Sequence, residues 1–371
     1  MRRFIMSVCA TTVVISLSMF SAALASASVA APAGSSHGPV IVVPPGHSIQ
    51  AAVNRAHPGT TIQLKRGVYH QAVQIRTDGI TLRGVGNSLN GTVLRPPAMK
   101  PHTLCTSIFG VTGVCVLAKK LNLQTGAVRQ TVNNDTVTGI YVTGFPANGV
   151  FGYGTNGLTV TRVSGVNDGD YGISRFESTR TLFANDVAIG NHEAGFYVGD
   201  SPDADTVVRN NIAIGNEFGI FVRHAREVAV FHNLATKNCQ GILVLDDGQP
   251  GGAGTAVIAK NAVIANNKFC PKNMDTPVDI QGGGILLLGA TKTLVVHNTV
   301  LGNKGNQINS GGIRLLSAAA LTKGSNPNHD AVVANRAFHN KPADLIWDGT
   351  GVGNTFVANH CGKSIPAGLC H

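Results

Sequence analysis

Charge is scarce in this 371-residue chain: Asp, Glu, Lys and Arg together make up 13%, aromatic residues 5%, and there is a single tryptophan. With 45 glycines, the composition argues against helical bundles and suits many short strands joined by tight turns. No dense run of Lys and Arg occurs, and no aromatic stripe interleaved with basic residues, so single-stranded nucleic-acid binding is not expected. There is no Cys-x-x-Cys pair, which argues against a structural metal. Beyond the N-terminus, no segment has the unbroken apolar length of a membrane span.

The one long apolar run, residues 4–24, follows Arg2 and Arg3 and ends in small residues, with Ala23-Leu24-Ala25 and Ala25-Ser26-Ala27 as candidate cleavage sites. It reads as a secretory signal peptide over residues 1–27, followed by a flexible linker over 28–39; its length also makes a membrane anchor the alternative. Losing Arg2 and Arg3 lowers the basic residues from 29 to 27, against 19 acidic ones, leaving a net charge of +8. A basic exported protein attracts polyanions, acidic polysaccharide among them. The leader holds Cys9, so six of seven cysteines remain, and an exported chain with six suggests three disulfides. Sequence proximity pairs Cys105 with Cys115, Cys239 with Cys270 and Cys361 with Cys370. The expectation is a secreted monomer, free of the membrane once the leader is cut.

A short phrase recurs through the middle of the chain, centred on Gly149, Gly172, Gly195, Gly219 and Gly241, each followed by an apolar residue. A spacing in the low twenties with one short apolar strand per repeat is the signature of a solenoid. The phrase returns at Gly284-Ile285 and Gly312-Ile313, after turn-rich inserts at 246–255 and 268–283. A second phrase, Asn-x-x-x-x-Asn, starts at Asn211, Asn233, Asn261, Asn298 and Asn335. Asn suits bends, and stacked coils would set these amides above one another as hydrogen-bonded ladders.

Upstream, Val40–Val43 reads as a strand. Residues 48–56 read as a short amphipathic helix with Ser48 or His47 as N-cap, burying Ile49, Ala52 and Val53. The run Val43-Pro-Pro-Gly-His-Ser-Ile-Gln-Ala-Ala-Val-Asn, then Gly59-Thr-Thr-Ile-Gln-Leu, Gly67-Val-Tyr-His and Ile80-Thr-Leu-Arg-Gly84, resembles the entry of right-handed parallel β-helix proteins of the pectin-lyase-like superfamily. The resemblance covers residues 40–371. It implies an all-β, single-stranded, right-handed parallel β-helix of about ten coils with a short N-terminal capping helix. Residues 40–131 would form the cap and irregular coils, 132–343 the regular repeats and 344–371 a C-terminal cap. That superfamily holds pectate lyases, polygalacturonases, pectin methylesterases, mannuronan epimerases and non-enzymatic relatives, so one fold leaves the reaction open.

Aligning the coils on the repeat glycine gives the candidate site. Two positions on, Ser174, Tyr197, Phe221 and Leu243 should point outward by strand alternation, with Tyr197 and Phe221 free to stack on sugar. Five positions on stand Glu177, Asp200, His224 and Asp246, with Arg223 and Asp247 beside them; Gly289 and Ser317 end the run. Two positions before the glycine stand Asp170, Glu193 and Glu217. Coils are ~4.8 Å apart, and like charges at that distance are destabilising. A stack selected for stability alone would avoid them.

The catalytic candidates are thus Asp200, His224, Asp246, Glu177 and Arg223, and the substrate-binding candidates Tyr197, Phe221, Asp170, Glu193 and Asp247. Asp200 and Asp246, two coils and ~9–10 Å apart, approach the spacing of an inverting glycosidase pair. A lyase or epimerase would instead neutralise a uronate carboxylate with Arg223 or a bound Ca²⁺ held by the acidic files, and remove the C5 proton with a base. The Asn-Thr-Asp, Gly-His-Gly and Arg-Ile-Lys motifs of polygalacturonases are absent, as is the Asp-Pro-His-Asp motif of mannuronan epimerases; Asn167-Asp-Gly-Asp170 stands in a loosely similar place. A non-catalytic polysaccharide- or cell-wall-binding β-helix is the other reading. A role in copper handling finds no clustered His/Met set.

Overall fold

The computed structural model describes residues 38–370. The signal peptide and all of the linker but Gly38 and Pro39 therefore lie outside the described residues. Among these residues, no helix is long and apolar enough to cross a membrane.

Three long parallel sheets run the length of the molecule, with 12, 11 and 11 strands. The chain visits them in turn, one strand per sheet per coil. In one coil the first sheet takes Thr206–Arg209, the second Ile212–Ile214 and the third Phe218–Ala225. This is a right-handed parallel β-helix. The repeat glycine opens the third-sheet strand. The residue after it packs inside, so Ile173, Phe196, Ile220, Ile242, Ile285 and Ile313 form one fully buried column in unbroken register. The looser spacing beyond Gly241 leaves that register intact: Gln240–Leu245 pairs directly with Gly283–Leu288. The extra residues loop outward instead.

Both asparagines of the second phrase stack. Nδ2 of Asn216, Asn238, Asn266 and Asn303 donates to Oδ1 of the next coil's asparagine at 3.1, 2.8, 2.9 and 2.9 Å. Asn233, Asn261, Asn298 and Asn335 do the same at 3.0, 2.9, 3.0 and 3.0 Å. Each amide also bonds backbone, so bends buried inside the coil keep their polar groups satisfied. Toward the N-terminus aspartates take over: Oδ1 of Asp168 accepts from Phe145 N at 2.9 Å and Oδ1 of Asp186 from Val163 N at 2.8 Å.

The N-terminal helix spans Ile49–Arg55, with Ser48 as its N-cap accepting from Ala51 N and with Ile49, Ala52 and Val53 buried. The three cysteine pairs are those expected from proximity, with Cα separations of 6.5, 6.0 and 5.3 Å. Two stretches outside the regular repeats also join the three sheets. The irregular segment 87–131 still supplies Thr92–Arg95 to the second sheet and Val114–Leu117 to the third, and only its helix Leu104–Phe109 and an antiparallel hairpin leave the coil. The tail is one more coil: Leu345–Trp347 joins the third sheet, and Thr355–Val357, His360–Cys361 and Ser364–Ile365 end the three sheets.

Candidate functional site

Glu177, Asp200 and His224 occupy one register position where strands of the third sheet end. Each has a left-handed backbone, with φ of 47°, 48° and 48°. Gly154 and Gly289, five residues after their own repeat glycines, are left-handed too. The conformation by itself marks no site, because the bend after the first sheet carries Arg162, Asn185, Asn210 and His232 in the same region. What is particular is the chemistry of the three side chains. Nδ1 of His224 lies 3.4 Å from Oδ1 of Asp200, and Nε2 donates to Pro250 O at 2.5 Å. His224 is buried, Asp200 partly exposed and Glu177 exposed. Partial burial, then the Asp200 carboxylate, pushes the Glu177 carboxyl above the ordinary range, against a smaller pull from His224 and Arg175.

Arg223 stands beside this column, its Nε 2.9 Å from Oδ2 of Asp247. The Asp247 side chain is mostly buried, and Gln249 Nε2 also donates to it at 2.8 Å. Burial of Arg223 opposes its charge, and the neighbouring Tyr197, Asp247 and Asp200 outweigh it, so the guanidinium stays firmly protonated.

Asp246 follows Leu245, the register partner of Arg223, and so keeps the file next to His224, but its carboxylate is engaged elsewhere. It is buried and fully engaged: Oδ1 accepts from Gly248 N at 2.9 Å, and Oδ2 from both Ser325 N at 3.0 Å and the Ser325 hydroxyl. It fastens two outer loops, and both of its carboxylate oxygens are taken up in doing so. Tyr197 and Phe221 do leave the interior and point outward, but not as exposed stacking rings. They belong to a second apolar cluster with Tyr171, Phe218, Leu243 and Leu286 on the outer face. Tyr197 is fully buried, its hydroxyl without a hydrogen-bond partner among the described residues. The half-exposed aromatics beside Glu177 are instead Tyr153 and Phe176.

The upstream file splits. Asp170 and Glu193 are neighbouring carboxyl groups, with Tyr171 beside them. Burial, then the Asp170 charge, raises Glu193 to about 8, so the pair holds a proton near neutrality. Glu217 serves the insert: Thr276 Oγ1 and Asn273 Nδ2 donate to it at 2.7 and 3.1 Å. Among the described residues, no group of three or more His, Cys, Asp or Glu side chains is placed to share a metal ion.

Sequence reasoning missed Arg175. It sits inside the coil, fully buried, in register with Val198. Nε donates to Thr206 Oγ1 at 3.2 Å, Nη2 to Ala204 O at 3.0 Å, and Nη1 to the Ser201 hydroxyl. It thereby fixes the turn after Asp200 and puts a positive charge under the Glu177–Asp200 pair, although burial lowers its own pKa to about 9. The signal was available: Arg175 stands three residues after its repeat glycine, where later coils carry Val198, Val222 and Val244.

In sequence, the chain matches the family described as "Right handed beta helix region" over residues 120–250 and 148–326. No curated protein matches it. Solved structures share the fold at low identity. The mannuronan C-5 epimerase A-module of Azotobacter vinelandii is 15% identical with a TM-score of 0.55, covering 84% of this chain and 89% of that one. The catalytic unit of an α-1,3-glucanase from Streptomyces thermodiastaticus is 13% identical with a TM-score of 0.56, covering 86% of this chain and 62% of that one. A DFA-IIIase from Arthrobacter chlorophenolicus is 10% identical with a TM-score of 0.52, covering 81% and 84%.

Proposed function

Because this chain belongs to the right-handed β-helix family, we propose that it is a secreted enzyme acting on an acidic polysaccharide laid across the outer face of the third sheet. The observation that carries this is the alignment of Glu177, Asp200 and His224 on three successive coils, with Arg223 at their side. The basic charge and the similarity of fold to carbohydrate-acting proteins support it. Three disulfides suit an oxidising, extracellular setting.

The residues divide the work as follows. Arg223 meets the uronate carboxylate, and neutralising that charge acidifies the proton on C5. Asp200, backed by His224, takes the proton. Glu177, whose carboxyl is shifted toward its protonated form by burial and then by Asp200, gives a proton to the glycosidic oxygen as the C4–O4 bond breaks, or to the opposite face of C5. The first outcome is elimination, the second epimerisation. With Asp246 committed to loop anchoring, this scheme is favoured over inverting hydrolysis, which needs two separated carboxylates and room for a water.

The test is incubation with pectate and alginate. Ultraviolet-absorbing unsaturated ends mean elimination, inverted C5 centres by proton NMR mean epimerisation, and new reducing ends alone mean hydrolysis. Binding without any of these makes the chain a non-catalytic polysaccharide-binding β-helix.

A further inference from the structure

The outer face next to Arg223 is roofed, and the roof encloses space. A cavity of about 310 Å³ lies between the third sheet and the inserts, large enough for a small molecule. Its floor is the outward side of three strands, with Phe221, Leu243, Leu245, Leu286 and Leu288. One wall is the insert carrying Met274–Val278, tied down by the Cys239–Cys270 disulfide and by Thr276 on Glu217. The other holds Leu321 and Thr322, where Thr322 Oγ1 donates to Asp246 O at 2.8 Å. The buried carboxylates Glu217 and Asp246 are thus the anchors of a built chamber.

Protein interiors seldom leave apolar voids larger than a water molecule, and those that exist stay dry and accept apolar guests. The mouth is apolar as well: Met274 is 100%, Ile308 54% and Leu321 36% exposed. Most polar groups on the wall are already satisfied within the protein. Gln240 Nε2 bonds Gly284 O and Asn309 Nδ2 bonds Gln240 Oε1, at 2.7 and 3.1 Å. Arg223 is different: its Nε goes to Asp247, leaving the Nη groups to meet an anion at the chamber's edge. Arg223 therefore borders both this chamber and the Asp200–His224 strip.

We propose that the chamber receives an apolar group carried next to an anion, with the anion on Arg223. Resting on the function proposed above, this makes the substrate a uronate bearing an acyl or aromatic substituent; a free amphipathic acid has the same chemistry.

Calorimetric titration of the full secreted chain with phenyl glucuronide, methyl glucuronide and sodium decanoate tests it. The phenyl glucuronide should gain at least about tenfold in affinity over the methyl one. Leu243→Trp, which fills the chamber, should erase that gain. Leu321→Glu, at the exposed rim where folding is not at stake, should erase it too. Decanoate binding lost in the same variants identifies a free acid as the guest; phenyl glucuronide binding without decanoate identifies a substituted sugar. Equal affinity for the two glucuronides with no decanoate binding overturns the proposal, as does binding that neither variant changes. Because no turnover is measured, failure to act on any polyuronate would leave this result untouched.

Discussion

His224 Nδ1 faces Asp200 Oδ1 at 3.4 Å from the neighbouring coil, while its Nε2 is held by the Pro250 carbonyl of an outer loop. The ring therefore links the coil to the loop and fixes where the Asp200 carboxylate stands. Asp200 is also what raises the Glu177 carboxyl, after burial. Carbon-13 NMR titration of that carboxyl should give a pKa above the ordinary ~4.3. It should fall in Asp200→Asn, since the like charge is gone. An unchanged value in that variant would show that the two groups do not interact.

Four buried aspartates, Asp135, Asp168, Asp186 and Asp330, each leave Oδ2 without a partner among the described residues. At equivalent ladder positions an asparagine Nδ2 donates at that place, as Asn211 does to Phe183 O at 3.0 Å. Asp186→Asn should therefore stabilise the fold, by roughly 1–3 kcal/mol, the cost of one unsatisfied buried polar group. Chemical denaturation at neutral pH reads this directly.

The same aspartates make stability depend on pH. Burial raises Asp330 to about 7 and Asp135 to about 8. A carboxyl with a raised folded pKa binds its proton more tightly when folded. Its contribution is complete below the unfolded value near ~3.9 and is lost as pH rises through the folded value. The melting temperature should decline from about pH 4 to about pH 8, and Asp330→Asn with Asp135→Asn should flatten that slope.

Removing a rung of the ladder is the opposite case. Asn238 takes bonds from Asn216 and gives bonds to Ala213 O and Asn266. Asn238→Ala should cost on the order of 3 kcal/mol or more, since several buried groups lose partners at ~1–3 kcal/mol each.

Asp246→Ala should release both outer loops while sparing the coil. Hydrogen exchange is expected to rise at residues 246–255 and 317–325 and to stay unchanged in Ile220 and Ile242, which are fully buried inside.

The coil was legible because its determinants are local and periodic. Gly172, Gly195 and Gly219 mark the strands, and Asn233 with Asn238 marks the bends, each repeating at coil spacing. The site was legible only as a register. Period alone placed Glu177, Asp200 and His224 together. It could not tell that Asp246, in the same file, would turn to Ser325, 79 residues away, because that depends on where a long insert folds back and loops carry no period. Nor could it tell that outward-pointing Tyr197 would be buried among Tyr171, Phe176 and Phe221. Glu193 and Glu217 show the same limit: identical in sequence position, one pairs with Asp170 and the other anchors Thr276.

The central claim is that the Glu177–Asp200–His224 strip with Arg223 acts on an acidic polysaccharide. The most direct measurement is product formation from pectate and alginate by the unmodified chain and by Asp200→Asn. The account predicts unsaturated ends or inverted C5 centres with the unmodified chain, and a loss of about 10²-fold or more in the variant. Equal product from both, or no product from any polyuronate with the unmodified chain, would contradict it.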